Sequence, residues 1–212
     1  MTPWLSCTAA ASLSNYASTD RQPTLITGLP SSKIELSTAP DCGLAIGRYP
    51  RFRYDATGGG GLGRLGEIGS GGQRSLEFPA FELAIPPLNW RTTRVFGLPL
   101  PPGITISIEP SQLAGHLEPA TGRLELRFQA RFRFRLAGLY RAPDLMIDTL
   151  LHTGLVHGQR HRARGQALTD DGQALLVGVA VVPPSNDPWL DRFLGLPDEA
   201  LAMLRCTFKS LP

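Results

Sequence analysis

The chain has 212 residues and a formal net charge of +3, which is enough length for one large domain with a sizeable core and too little charge for a typical nucleic-acid-binding protein. Its 23 glycines and 19 prolines favour many short strands joined by turns and disfavour long helices. No segment approaches the roughly eighteen consecutive apolar residues of a membrane-spanning helix.

The three cysteines, Cys7, Cys42 and Cys206, are odd in number and widely spaced, without a C-x-x-C motif. This pattern is not typical of a disulfide framework or a zinc knuckle, and it fits a reducing compartment. The first residues also lack the basic segment and apolar run of a secretory signal. We therefore expect a cytoplasmic protein, whose membrane contact would be peripheral.

Residues 1–40 are rich in Ser, Thr and Ala, which predicts a flexible or peripheral arm before an antiparallel β domain over residues 41–212. Within that domain, residues 58–72 include nine glycines and predict a mobile loop. Residues 61–66 match the spacing G-x-G-x-x-G, but no buried strand precedes them and further glycines would break a following helix. No nucleotide cofactor is therefore predicted.

Alternating apolar residues predict strands over residues 75–85 and 104–109. The first of these changes parity after Pro79, which indicates a bulged edge strand. Pro119 to Gly122 form a typical tight turn. Because this turn leaves no room for a crossover helix, the strands on either side of it should pair in antiparallel fashion.

Residues 123–136 (RLELRFQARFRFRL) carry the clearest period-two pattern of the chain. A helix would spread the apolar side chains around its whole circumference, whereas a strand places them on one face and the arginines on the other. At roughly 3.3 Å per residue, this strand would be about 46 Å long. It must therefore bend, and the small residue Ala130 is a natural site for a bulge.

The C-terminal part combines a buried strand with the only helix signals. Asp170-Asp171-Gly172 predicts a hairpin turn before an apolar strand over residues 174–182. Residues 187–204 then predict a helical segment with Pro188 in the first turn, Gly195 as a terminator and a second short helix after it. The predicted fold class is all-β and mainly antiparallel: a single bent-sheet β-barrel or β-sandwich with one or two short C-terminal helices.

In the style of its strands, the chain over residues 43–210 resembles the antiparallel barrels, lipocalin-type among them, that enclose one apolar ligand and close one mouth with a short helix. The resemblance rests on no specific motif, and so it transfers no functional residue. It implies an interior that can hold a ligand.

The two faces of the long strand supply the candidate site residues. The predicted ligand-binding side chains point inward: Leu126, Phe128, Phe132 and Phe134. The predicted anion- or headgroup-binding side chains point outward, where guanidinium groups can bind phosphates or carboxylates: Arg127, Arg131, Arg133 and Arg135. The alternative is a solvated face whose charges are neutralised across strands, the available carboxylates being Glu109, Glu118, Asp144 and Asp148.

The leading hypothesis is a soluble binding protein for an apolar or amphipathic anionic ligand, such as a lipid, isoprenoid or pigment, that associates with a membrane surface through its arginines. The alternative is a non-catalytic scaffold or assembly factor that docks on an acidic protein surface. A third hypothesis is a barrel enzyme acting on an acyl or isoprenoid compound. Nucleic acid ranks last among the partners, because the basic face offers no aromatic platform for stacking bases.

The histidines give no strong chemical signal. His157 and His161 would lie about 13 Å apart on a strand, too far to chelate one metal ion, and His152 stands apart from them. His116 beside Glu118 is a possible dyad, but no G-x-S-x-G or H-E-x-x-H motif accompanies it. The sequence therefore favours a non-catalytic protein and predicts no catalytic residue, metal ligand or cofactor.

Overall fold

The computed structural model of the protein describes residues 33–211. This part of the chain is built almost entirely from β-strands, with a single turn of 3₁₀ helix (Ala80–Glu82) and one α-helix, α1 (Pro188–Leu194). Within it, no helix is long and apolar enough to cross a membrane. The strands are β1 (Lys33–Thr38), β2 (Cys42–Ile46), β3 (Phe52–Tyr54), β4 (Gly60–Ile68), β5 (Arg74–Phe78), β6 (Thr93–Val95), β7 (Leu98–Pro99), β8 (Ile104–Glu118), β9 (Arg123–Leu136), β10 (Tyr140–Arg141), β11 (Leu145–His152), β12 (Leu155–His157), β13 (Arg162–Arg164), β14 (Gln173–Val182) and β15 (Asp198–Leu211).

The predicted all-β, antiparallel class is confirmed, because every pairing between these strands is antiparallel. Eight of the strands follow one another in the order β1, β4, β5, β8, β9, β11, β14 and β15. Since β15 also pairs with β1, these eight strands form a closed ring of pairings. β9 lies four strands from β1 in either direction round this ring.

The sheet forks at β15. One edge of this strand pairs with β1 along Cys206–Leu211 and with β2 along Ala200–Met203. From β2 the second branch continues through β3 and β6 to β7. The two branches leave a seam between them, and the segment around residues 83–88 crosses it through isolated bridges from Ala84 to Gly60 and from Leu88 to Ile106.

β9 has the structure that its alternation predicts. Leu124, Leu126 and Phe134 are buried, while Arg127 and Arg135 on the opposite parity are exposed. The predicted bulge lies on the partner strand rather than at Ala130, since the register with β8 shifts between Pro110 and Gln112, opposite that residue. Consequently β9 keeps its alternation over all fourteen residues, and β8 takes up the irregularity.

The central part of the glycine-rich segment is a strand and not a loop, while residues 58–59 and 69–72 lie outside that strand. Residues 60–68 form β4, which pairs with β1 and β5 inside the ring. A Cβ on Gly61 would collide with the carbonyl of Glu82, and one on Gly63 would lie 2.6 Å from the ring of Phe78. Glycine is needed here for close approach between chain segments, a use that composition alone does not distinguish from flexibility.

The C-terminal helical prediction is right for α1 and wrong beyond it. Asp187 caps α1 by accepting hydrogen bonds from the backbone of Trp189 and Leu190, and Gly195 ends the helix with φ of 74°. Residues 198–204, where a second helix was expected, belong to β15. They have strand partners on both edges, in β14 and β2, and this pairing overrides the local helix signal.

The predicted arm also ends earlier than expected. Lys33–Thr38 form β1, the strand that closes the ring, so the β domain begins before residue 40. The rest of the predicted arm, residues 1–32, lies outside the described residues.

The core fills the ring at both ends. At one end apolar side chains from all eight ring strands pack together without contribution from the helix, among them Ile34, Phe78 and Leu126. At the other end Leu190 and Leu194 of α1 pack against Phe134 and Val182, so the helix plugs that end of the ring. A further apolar cluster lies where the β12–β13 hairpin packs against β14 and β15, with Val156 and Val177 at its centre.

Candidate functional site

A small apolar cavity of about 110 Å³ lies between the two ends of the core, beside the seam. Side chains from the ring strands form its walls, among them Leu36, Phe128, Phe132, Leu151 and Leu176. Its volume is smaller than the roughly 150 Å³ of an engineered cavity that binds benzene. It is also below the roughly 300–1,000 Å³ of pockets that enclose whole drug-sized ligands. The cavity can therefore hold only a small apolar group or the end of a chain.

The cavity opens at the seam, beside residues 83–86, because Ala84 is the one exposed residue among those that line it. Two hydroxyl groups tie this region together: Tyr54 donates a hydrogen bond to the carbonyl of Pro86, and Thr38 donates one to the carbonyl of Ala56 at 2.6 Å. The backbone of Gly60 exchanges two hydrogen bonds with Ala84, at 2.8 and 2.9 Å. This crossing segment is held by isolated bridges and not by a continuous strand ladder.

The interior of the cavity is electrically neutral. The described residues that line it include no Asp, Glu, His, Lys or Arg. Burial raises the pKa of the Cys206 thiol and of the Tyr54 hydroxyl, so both remain protonated at neutral pH. A charged ligand group would lose its hydration there without gaining a partner. The cavity is thus suited to a neutral apolar group.

The structure places the four predicted ligand-binding residues in three different environments. Phe128 and Phe132 line the cavity. Leu126 is fully buried in the close-packed core, and Phe134 lies against α1, with ring centroids 6.0 Å from Trp189 and 5.8 Å from Phe193. All four point inward as expected, but β9 is long enough to pass through three different environments.

The arginines of the outer face are mostly paired with carboxylates. Arg127 donates two hydrogen bonds to Asp148, at 3.0 and 2.6 Å, and these bonds with one from Gln129 lower the pKa of that carboxyl to about 2. Arg133 bridges Glu109 and Asp144, and Arg131 lies 3.6 Å from Asp144. Arg135 has no such carboxylate among the described residues.

These positions separate the two predicted sites. The phenylalanines and the arginines lie on opposite faces of β9, and the mouth of the cavity lies at the seam beside residues 83–86. We therefore treat the cavity and the arginines as two separate candidate sites. The amphipathic-ligand hypothesis had assigned them to the two ends of one ligand.

A larger depression, of about 440 Å³, lies on the outer surface across β5, β8 and β9. Exposed side chains line it, among them His116, Glu125 and Arg127. The strand register places His116 between Ser75 and Glu125, while Glu118, its expected partner, accepts a hydrogen bond from Thr121 at 2.6 Å. Because this depression is open and polar, a small ligand would remain largely hydrated in it, and we favour the enclosed apolar cavity as the binding site.

The other histidines are dispersed. The chain turns between His157 and His161, with the amide of Gly158 donating to the carbonyl of His161 at 2.8 Å. His157 lies 2.8 Å from the guanidinium of Arg162, and His152 Nδ1 accepts a hydrogen bond from the amide of Gly154 at 3.2 Å. Over residues 33–211, no group of three or more His, Cys, Asp or Glu side chains is placed to hold a metal ion.

A buried carboxylate, Glu199, was missed by sequence reasoning. It accepts backbone hydrogen bonds from Gln159 at 2.7 Å, Arg160 at 2.8 Å and His161 at 3.3 Å. These bonds, that of Arg160 first, lower the pKa of Glu199. They fix the loop after β12 onto the start of β15, so the role of Glu199 is structural. Its partners are main-chain groups about forty residues away, and no local pattern indicates them.

Comparison with known proteins adds no relative. No family model matches the chain, and neither a curated protein nor a solved structure matches it. Functional inference therefore starts from the cavity and the surface of this structure.

Proposed function

We propose that this protein binds the neutral apolar end of an acyl or isoprenoid chain in the cavity beside the seam. The observation that carries the proposal is a partly enclosed, uncharged space lined by Phe128 and Phe132 beside a core of fully buried leucines and phenylalanines. Protein interiors have few voids larger than a water molecule, because unfilled space loses dispersion contacts. A ligand that filled this space, next to the seam in the sheet, would restore the dispersion contacts that the empty cavity lacks.

The size and position of the cavity define the ligand further. Only the terminal part of a chain fits inside, so the rest must leave through the seam beside residues 83–86. The arginines of β9 lie on the face of the sheet opposite to the cavity. The proposal therefore differs from the initial hypothesis in requiring no anionic headgroup.

The other two hypotheses have weaker support. An acidic protein partner would have to compete with Glu109, Asp144 and Asp148 for three of the four predicted arginines. An enzyme using the cavity would need a chemically active group there, and its lining provides two groups that burial keeps protonated, Tyr54 and Cys206.

The test is to fill the cavity from within. Ala202 lines it and is only partly buried, so Ala202→Leu should occupy much of the space at a cost of about 1–3 kcal/mol at most. Native mass spectrometry of gently purified protein should show an apolar adduct on the original chain and not on this variant. Titration with decanol should shift the methyl NMR signals of Leu151 and Leu176 only in the original chain.

Ala114→Leu is the matched control, because Ala114 lies on the outer side of β8 in the open depression. This variant should keep both the adduct and the response to decanol. The proposal is wrong if the original chain carries no adduct and its methyl signals do not respond to decanol.

A further inference from the structure

The end of the ring that α1 plugs carries a partly exposed group of aromatic side chains. Trp189 and Phe193 stack face to face, with centroids 5.2 Å apart and planes 3° apart. Tyr140 contacts Trp189 at 4.9 Å between centroids, and Tyr49 contacts Phe193 at 6.3 Å. We call these four residues, together with Leu139 in the adjoining turn, the aromatic end.

Three apolar side chains of the aromatic end are exposed. Leu139 is 95% exposed, Trp189 47% and Phe193 37%. Leu139 lies at the tip of the turn between β9 and β10, next to Gly138 with φ of 70°. Tryptophan and tyrosine favour boundaries that are apolar on one side and wet on the other, as at the surface of a bilayer. A protruding leucine beside such rings can enter the outer part of a bilayer.

The rim around the aromatic end carries exposed arginines. Arg135 and Arg141 are directly opposite each other in the β9–β10 pairing, and both are exposed. Two like charges in this position destabilise a sheet unless an anion lies between them. The nearest carboxylate, Asp144, is 3.9 Å from Arg141 and also serves Arg131 and Arg133.

Two more arginines add positive charge to this rim. Arg48 and Arg192 are exposed next to Tyr49 and Phe193, and neither has a carboxylate partner within the described residues.

The carboxylates at this end accept hydrogen bonds from groups within the fold. Asp187 accepts hydrogen bonds from the start of α1 and from the hydroxyl of Tyr140, at 2.6 Å. Asp191 accepts bonds from the backbone and the hydroxyl of Ser185, at 2.7 and 2.5 Å. Both carboxylates keep their negative charge, but their oxygens are already hydrogen-bonded within the fold, whereas Arg48, Arg135 and Arg192 have no carboxylate partner among the described residues.

From these observations we propose that the aromatic end and its arginine rim dock the protein on an anionic phospholipid bilayer. Phosphate groups would lie between Arg135 and Arg141, where they relieve the repulsion, while Leu139 and the exposed edges of Trp189 and Phe193 enter the interface. The proposal does not depend on the cavity, so Ala202→Leu should leave vesicle binding unchanged.

The experiment uses Trp189 as the reporter, in the full chain with Trp4→Phe and Trp90→Phe. Vesicles containing about one third phosphatidylglycerol in phosphatidylcholine should shift the Trp189 emission to shorter wavelength, and pure phosphatidylcholine vesicles should do so weakly. Arg135→Glu should lower the partition coefficient at least about fivefold, since each basic residue at an anionic surface contributes roughly that factor. Leu139→Gln should lower it severalfold without affecting folding, because the side chain is almost fully exposed.

Two matched variants make the test specific. Arg123→Glu changes net charge as Arg135→Glu does, but Arg123 is at the other end of β9, about 40 Å away. Phe81→Ala removes a more exposed aromatic side chain outside the aromatic end. Both should leave the partition coefficient nearly unchanged.

Three outcomes would overturn the proposal. One is an equal loss of vesicle binding in Arg123→Glu and Arg135→Glu, which would mean unspecific attraction by net charge. Another is vesicle binding without a change in Trp189 emission, which would place the contact elsewhere. The third is no binding at low salt, which would leave a protein partner as the occupant of this end.

Discussion

The inner and outer faces of β9 carry alternate residues of one strand, but their neighbours give them different properties. On the inner face, Leu126 is close-packed while Phe132, six residues later, borders empty space. On the outer face, Arg127 is held by Asp148 while Arg135 lies opposite another arginine. Each face therefore has one part whose side chains are fully packed or paired and another part whose side chains are not. The parts that are not fully packed or paired are the candidates for binding.

The largest effect should come from the close-packed part of the inner face. Leu126 has no exposed surface, so Leu126→Ala should lower the free energy of unfolding by about 4 kcal/mol, since the lost contacts and the new cavity both contribute. Urea unfolding followed by fluorescence measures the change. Leu150→Ala, on the exposed side of β11, should change the free energy by less than about 1 kcal/mol.

A smaller effect is expected where the inner face already borders the cavity. Phe132→Ala enlarges an existing space and removes a side chain that is only partly buried, so we expect a loss of about 2 kcal/mol, below the usual range for buried phenylalanines. The same unfolding experiment applies. A loss as large as that of Leu126→Ala would mean that the core is equally tight at both positions.

The smallest effect concerns the charges of the outer face. The hydrogen bonds from Arg127, with those from Gln129, lower the pKa of Asp148 to about 2. A lowered pKa means that the pair contributes its full stability above the ordinary pKa of aspartate, and loses it as the pH falls through about 2. Carboxyl NMR titration should find this midpoint, and Arg127→Ala should raise it. An unchanged midpoint in Arg127→Ala would show that the pair does not persist in solution, and Arg135→Ala is the control without effect.

The elements that depend on the local order of residues were predicted correctly from the sequence. The features that depend on contacts between segments far apart in the chain were missed. The period of residues 123–136 and the helix signals at Pro188 and Gly195 are local, and both strand and helix were found where expected. The glycines of β4 and the strand at residues 198–204 were misassigned, because close approach to Glu82 and pairing with β2 are properties of the assembled sheet. Likewise, all four predicted apolar residues point inward, but nothing in their pattern indicates that Phe128 and Phe132 alone reach the cavity.

Closure of the ring joins Lys33 to Leu211, so its two partner strands are separated by most of the described chain. A ribosome must therefore finish β15 before the molecule can become a ring, and until then β1 and β14 each present an open edge. Contacts between such distant segments slow folding and prolong the lifetime of aggregation-prone intermediates. Nascent chains halted before β15 should accordingly depend on chaperones far more than the finished protein does.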